Sequence, residues 1–269
     1  ATWSTPTTPP SCGRWRGGGK SDGNEVRAMS RPTPVSRHYL FKFFFRLAVF
    51  LLILALYLLA PDTLDIFHAR MLSPTGILWL CVLLSMLAQL SPKSRLTAGC
   101  MKQFPGRFSP VPGYDPQALS QAVRNQNRGA LKVLAVWLAI NLAFGAAYHA
   151  GLLDVPDLIL LCALCYVCDL VCVLFFCPFQ FFLMHNRCCV NCRIFAWGAW
   201  MMAAPLMLVP HFYAQSLFGT GVLVLAVWEI RYRRHPERFW EGSNQTLQCA
   251  QCPEQLCRYK NRLYRAAKS

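Results

Sequence analysis

Charged residues are scarce in this chain. Asp, Glu, Lys and Arg make up 14% of the 269 residues, and only 12 of them are acidic. A soluble domain usually has about 25% charged residues. The sequence also has no Gly-rich phosphate loop, no His-Glu-x-x-His and no Gly-x-Ser-x-Gly. The low charge content therefore argues against a soluble protein, and the missing motifs argue against enzymes that depend on them. We assign no catalytic residues.

Nucleic-acid binding is not indicated either, although the formal net charge is +15. We find no recognition-helix pattern and no aromatic RNA-binding signature. The Lys and Arg residues flank apolar blocks, where they anchor helices and contact anionic lipid headgroups. The expected partner is therefore a lipid bilayer and not a nucleic acid. A protein partner or a homo-oligomer is left open.

Hydrophobic residues make up 55% of the chain and occur in long blocks. A helix needs roughly 17 to 25 apolar residues to cross a hydrocarbon core of about 30 Å. We therefore predict an all-α polytopic transmembrane bundle of about six helices with a small Cys-rich metal-binding appendage. The predicted spans are approximately 43–60, 71–90, 133–153, 158–184, 194–214 and 216–232.

The positions of the basic residues predict the orientation. All Lys and Arg except Arg70 lie in 1–46, 91–132, 184–193 and 231–269. On a six-span path these four segments share one side, and cytoplasmic loops carry the excess of Lys and Arg. We therefore expect a multi-pass protein of the cell (inner) membrane with both termini in the cytoplasm.

Three regions are predicted along the chain. Residues 1–36 are rich in Pro, Gly, Ser, Thr and Arg, so we expect disorder there, with Met29 as a candidate translation start. Residues 37–232 form the transmembrane domain. Residues 233–269 form a cytoplasmic, basic, Cys-rich tail.

Local signals predict two further features. Residues 115–129, "DPQALSQAVRNQNRG", indicate a short surface helix with Asp115 as its cap, Pro116 at its first position and Gly129 after its end. Pro205 and Pro210 predict kinks in the fifth span.

Two Cys-x-x-Cys strings, "HNRCCVNCRIF" (185–195) and "CAQCPEQLC" (249–257), are separated by one predicted helical hairpin. Both are therefore expected at the cytoplasmic face, which is reducing, so metal binding is favoured over disulfides. Two such pairs supply the four thiolates of a zinc site, each about 2.3 Å from Zn²⁺. The first-choice ligands are Cys189, Cys192, Cys249 and Cys252, and the secondary candidates are Cys188, Cys257, Cys177 and His185.

The surplus thiols leave two alternatives open. An iron-sulfur cluster also takes four thiolates, so Cys188 or Cys257 could belong to a redox or electron-transfer centre. The cysteines could also be ordinary thiols with no ligand role. Zinc in a structural or regulatory role is the favoured interpretation.

The predicted fourth helix carries a polar and thiol-rich face. At about 100° per residue this face holds Cys162, Cys165, Asp169, Cys172 and Gln180. The thiols alone are typical of close helix packing. We expect Asp169 near mid-bilayer with no Lys or Arg at that depth, protonated and hydrogen-bonded to Asn141 of the third helix.

The predicted intramembrane polar site therefore consists of Asp169, Asn141, Cys165 and Cys172. It would serve either as a contact between helices or as a station for a proton, metal ion or small solute. The second possibility makes transport a further candidate function.

Three strings carry a family resemblance: "CPFQFF" (177–182), "NRCCVNCRIFAWG" (186–198) and "RRHPERFWEGSNQTLQCAQCPEQLC" (233–257). They resemble a group of bacterial polytopic membrane proteins whose activity is uncharacterised. The resemblance implies a prokaryotic cell membrane and a shared cysteine framework. It implies no activity.

Overall fold

The computed structural model describes residues 34–60, 74–91, 102–186, 188 and 191–248. These ranges are largely helical and contain no strand, apart from an isolated bridge between Pro110 and Asn244. We number the α-helices α1 (Pro34–Leu59), α2 (Pro74–Leu87), α3 (Pro116–His149), α4 (Val155–Leu174), α5 (Gly198–Ala203) and α6 (Phe212–Arg234). A π-helical turn covers Phe179–Met184, and 3-10 turns cover Ala88–Leu90, Pro105–Arg107, Arg193–Trp197, Ala204–Leu208, Pro236–Arg238 and Gln245–Leu247.

Four of these helices, α1, α3, α4 and α6, are long and apolar enough to cross a membrane. Two shorter apolar segments, Gly76–Leu90 and Arg193–Leu208, fall below that length. The prediction of an all-helical membrane-type protein is thus confirmed, with four membrane-length helices. The predicted disordered segment 1–36 lies outside the described residues except for 34–36, which belong to α1.

Helix α3 joins the predicted surface helix (115–129) and most of the predicted third span (133–153) into one continuous helix. Asp115 caps it by accepting a hydrogen bond from the Gln117 amide at 2.8 Å, and Pro116 is its first residue, as predicted. Gly129, however, lies buried inside the helix, so the predicted helix end there is wrong. A Cβ atom at this position would lie 2.9 Å from Met184 Sδ. Close packing against the π-helical turn therefore explains the glycine, and it outweighs a helix-propensity cost of about 1 kcal/mol.

Helix α4 ends at Leu174, whereas the sequence predicts a span to residue 184. Pro178 explains the early end, because proline removes a backbone donor and disfavours α geometry in the residue before it. Cys177 and Gln180 consequently do not lie on α4, and the polar face predicted to reach them is interrupted. The Gln180 side chain is buried and donates a hydrogen bond to the Asn186 carbonyl at 2.9 Å.

The predicted fifth span is broken into short turns. A 3-10 turn leads into α5, and a second 3-10 turn (Ala204–Leu208) has Pro205 near its start. Pro210 falls between this turn and α6. The sequence predicts kinks at the two prolines, whereas the structure has a break: Pro205 lies in the second 3-10 turn, and Pro210 separates the broken segment 193–208 from α6.

Side-chain contacts fix how the helices align. Helix α1 runs antiparallel to α4: the Tyr57 hydroxyl bonds Asp157 at 2.6 Å at one end, and Tyr39 packs near Leu174 at the other. Helix α6 packs on α2 and on the broken segment. Gly221 permits this second contact, because a Cβ there would lie 3.0 Å from the backbone of Trp200.

The two ends of the bundle differ in charge. At one end the Tyr232 hydroxyl bonds Gln126 at 3.2 Å, and Arg231 bonds the Leu90 carbonyl at 3.4 Å. We call this the basic end, because the described residues gathered there include Lys102, Arg107, Arg124, Arg128, Arg193, Arg231, Arg233, Arg234 and Arg238. The opposite end holds Asp154 and Asp157, and its described residues include no Lys or Arg.

Candidate functional site

Cys192 is the first-choice metal ligand that the structure describes. It is buried, with 4% of its surface exposed, and its carbonyl accepts a hydrogen bond from the Phe195 amide at 3.0 Å, which starts the 3-10 turn after it. The other first-choice ligands, Cys189, Cys249 and Cys252, lie outside the described residues, as does Cys257.

Asn191, next to Cys192, joins the loop to the part of the tail that precedes Cys249. Its buried side-chain amide donates a hydrogen bond to the Leu247 carbonyl at 3.0 Å and approaches Glu241 Oε2 at 3.4 Å. Leu247 precedes Cys249 by two residues, and consecutive Cα atoms are about 3.8 Å apart. The two Cys-x-x-Cys strings are therefore attached to backbone that is already in contact.

Asn244 holds the same part of the tail in place. It is fully buried, and its amide nitrogen donates to the carbonyls of Lys102 and Arg238 at 3.2 and 2.9 Å. Its side-chain oxygen accepts from the amide and hydroxyl of Thr246 at 3.1 and 2.8 Å. The sequence analysis missed both asparagines. An Asn two residues before a Thr signals a local turn, but the partner at Lys102 has no local signal.

Two of the secondary ligand candidates, His185 and Cys188, flank Asn186, whose side chain donates a hydrogen bond to the Asn191 carbonyl at 3.2 Å. Cys177 Sγ accepts a hydrogen bond from the Gln180 amide at 3.4 Å, and Cys188 packs beside the cluster of Tyr39 and Leu174. His185 is exposed and adopts a left-handed backbone with φ of 51°.

Within the described ranges, no group of three or more His, Cys, Asp or Glu side chains could hold a metal ion. Three of the four first-choice ligands fall outside these ranges, so the metal site stays a prediction.

Asp169 has a cationic partner. Arg46 Nη1 lies 2.7 Å from Asp169 Oδ2 and 2.8 Å from the Tyr166 carbonyl, and the guanidinium stacks on the Tyr166 ring at 3.9 Å. The prediction that no Lys or Arg reaches this depth is therefore wrong. Because α4 ends at Leu174, Asp169 lies only about one and a half turns from the helix end, at the level that α1 reaches with Arg46.

The predicted hydrogen bond between Asp169 and Asn141 is also wrong. The Asn141 amide donates to the Trp137 carbonyl one turn earlier at 2.8 Å, and its side-chain oxygen is buried with no hydrogen-bond partner in the described structure. The reason is the packing order: α4 packs mainly on α1 and the broken segment, despite its short link to α3. The expected neutral form of Asp169 loses its basis, because a positive partner is present.

Two of the thiols on α4 pack against the core. Cys162 and Cys165 pack against the cluster that holds Ala199 and Met202. Cys172 is half-buried. Asn141 therefore does not join Asp169 in the predicted polar site of Asp169, Asn141, Cys165 and Cys172, and the positions of Cys162 and Cys165 favour packing.

Gly198 makes room for the ion pair. A Cβ atom at this position would lie 2.6 Å from Asp169 Oδ1, closer than side-chain carbons approach in proteins. The glycine stands in "IFAWGAW", where the first 3-10 turn passes into α5. The broken segment can therefore approach α4 at the level of Asp169.

Comparison of the chain with protein-family models, curated proteins and solved structures gives no match. The resemblance to bacterial membrane proteins with similar cysteine strings stays a prediction. The function has to be inferred from the contacts of this chain.

Proposed function

We propose that this chain is a six-span membrane protein in which a cysteine-bound Zn²⁺ joins the 185–193 loop to the C-terminal tail at the cytoplasmic face. Its role would be structural or regulatory. The main support is the buried hydrogen bond from Asn191 to the Leu247 carbonyl at 3.0 Å. This bond brings the residue before Cys192 close to the backbone that leads into Cys249.

The six-span path agrees with the way in which successive links alternate between the acidic end and the basic end of the bundle. Counting the two short segments as spans, the links at the acidic end would carry only Arg70, and the other Lys and Arg residues would lie at the basic end. A straight 3-10 and α path would extend roughly 27 Å over Pro74–Leu90 and roughly 29 Å over Arg193–Leu208. These lengths are near the thickness of about 30 Å of a hydrocarbon core. The excess of Lys and Arg then favours a cytoplasmic basic end, as in a bacterial inner membrane.

Zinc suits this position chemically. In a reducing compartment, paired Cys-x-x-Cys strings persist as thiolate ligands more readily than as disulfides. A closed site with four thiolates contributes binding free energy to folding. The tail would then be held to the loop by the metal in addition to Asn191 and Asn244.

The test is the metal content of the purified full-length protein and of single variants. We expect about one zinc per chain in the wild type and its loss in Cys192→Ser and Cys252→Ser. Cys168→Ser is the matched control, because Cys168 is an exposed thiol on α4 and should leave zinc unchanged. Wild-type protein without metal, or an equal loss in all three variants, would contradict the proposal.

Optical absorption separates zinc from the redox alternative. A zinc-thiolate site has no visible band, whereas an iron-sulfur cluster absorbs visible light. A coloured, iron-containing protein purified without oxygen would replace the zinc proposal with an electron-transfer function. We do not propose transport through Asp169, since its carboxylate is already paired with Arg46 at 2.7 Å.

A further inference from the structure

A cavity of about 420 Å³ lies at the basic end, between α3, the first 3-10 turn of the broken segment and the end of α6. Its volume falls in the range of small-molecule pockets, about 300 to 1,000 Å³. One wall is apolar and includes Val123, Leu131 and Leu134 of α3. The facing wall carries Arg193, Glu229 and Arg233.

The three charged side chains of this wall, two arginines and one glutamate, give it a net positive charge. Arg193 Nη2 bonds one Glu229 oxygen at 2.6 Å, and the Trp197 indole donates to the other at 2.9 Å. The Glu229 charge is thus matched by Arg193. Arg233 adds a second cation, and it is exposed without an ion-pair partner among the described residues.

Arg193 also retains an unused donor. Its side chain is only 9% exposed, and its Nε is buried with no hydrogen-bond partner in the described part of the chain. A buried guanidinium nitrogen without a partner is costly, because it has lost its water and gained nothing in exchange. Because almost no surface of this Nε is accessible, a ligand in the cavity would not reach it, and the unpaired positive charge that faces the cavity is, among the described residues, that of Arg233.

The cavity lies across a polar-to-apolar boundary on α3. Asn127, which lines it, is followed one turn later by Leu131, and 66% of the Leu131 surface is exposed. Leu131 is two residues before the predicted third span (133–153), so in a bilayer it would lie where the first acyl carbons meet the headgroups, and Arg233 at the end of α6 would lie at headgroup level. A ligand that contacts the apolar wall and neutralises the positive charge of the facing wall is an amphiphile with an anionic head.

We propose that this cavity binds the headgroup of an anionic phospholipid, with its phosphate near Arg193 and Arg233 and its first acyl carbons against Leu131 and Leu134. The volume suits a headgroup and excludes whole acyl chains, which would remain in the bilayer. Basic pockets at the cytoplasmic side of helices favour such lipids on electrostatic grounds. This inference does not depend on the proposed metal.

The test is native mass spectrometry of the full-length protein released from detergent micelles that contain phosphatidylglycerol or phosphatidylcholine. We expect retention of phosphatidylglycerol and weaker retention of phosphatidylcholine. Arg233→Gln should reduce phosphatidylglycerol retention about fivefold, the effect of one basic residue near a lipid phosphate. Arg234→Gln is the matched control, because this neighbouring arginine is exposed and does not line the cavity.

A second variant tests the apolar wall. Leu131→Ala should reduce phosphatidylglycerol retention about threefold through lost apolar contact. Inorganic phosphate at the same concentration as the lipid should not displace it. Equal effects of the two arginine variants, equal retention of both lipids, or displacement by inorganic phosphate would overturn the proposal.

Discussion

The ion pair between Arg46 and Asp169 leads to the sharpest prediction for stability. Arg46 Nη1 and Asp169 Oδ2 are 2.7 Å apart, and the two side chains are 16% and 33% exposed. Asp169→Asn keeps the shape of the side chain and therefore its fit against Gly198, but it removes the charge. We expect this variant to unfold more readily than the wild type.

The magnitude follows from the burial of the pair. Removing one partner of a fully buried ion pair costs about 3 to 5 kcal/mol, whereas an exposed pair contributes less than about 1 kcal/mol. This pair lies between the two cases. Arg46 also keeps the Tyr166 carbonyl at 2.8 Å and the Tyr166 ring at 3.9 Å. We therefore expect a loss of about 2 kcal/mol for Asp169→Asn.

A double-mutant cycle isolates the pair. Asp169→Asn, Arg46→Met and the double variant are unfolded with a denaturing detergent in mixed micelles, and helix content is followed by circular dichroism. The double variant should cost about 1 to 2 kcal/mol less than the sum of the single variants. Tyr57→Phe is the control: it removes the hydrogen bond to Asp157 at the far end of α1, should cost about 1 kcal/mol, and should add to Asp169→Asn. If the loss of stability in the double variant equals the sum of the losses in Asp169→Asn and Arg46→Met within about 0.5 kcal/mol, the ion pair is refuted.

Two further predictions concern packing and the tail. Gly221→Ala should destabilise the fold by about 1 to 3 kcal/mol, because its Cβ would lie 3.0 Å from Trp200 Cα. Gly219→Ala in the same helix meets nothing within 4 Å and should be neutral or stabilising, so similar melting temperatures for both variants would contradict the helix contact. Asn244→Ala should cost about 2 to 4 kcal/mol and expose the tail to limited proteolysis, because it leaves buried partners unpaired. Gln248→Ala, which removes one exposed bond, should change neither measurement.

The main features of the fold could be predicted because they depend on local composition. The apolar blocks gave the helical, membrane-type fold, and Asp115 with Pro116 gave the start of α3. The errors occurred where packing overrides a local signal. A glycine after a short helical pattern commonly marks a helix end, but Gly129 lies inside α3 against Met184. Pro178 was passed over inside a long apolar block, although it accounts for the end of α4 at Leu174.

The candidate site was predictable only in part, because its contacts join distant segments. The single predicted hairpin between the cysteine strings placed the loop and the tail on one face, and Asn191 contacts Leu247 at 3.0 Å. The convergence of the cysteines themselves stays a prediction. The partner of Asp169 was not predictable from chain distance. A short link between α3 and α4 suggested Asn141, but α1 packs on α4 and supplies Arg46.

The sequence by itself determined that this protein is of the membrane type and how its charge is distributed. Both follow from the length of the apolar blocks and the positions of Lys and Arg, which are properties of the chain read in order. The tertiary structure alone decided which side chains meet. Helix packing selected Arg46 over Asn141 for Asp169, and it left Arg193 Nε buried beside a cavity. Such choices depend on the fit between surfaces that are far apart in the chain, 123 residues for Arg46 and Asp169, and no local pattern records that fit.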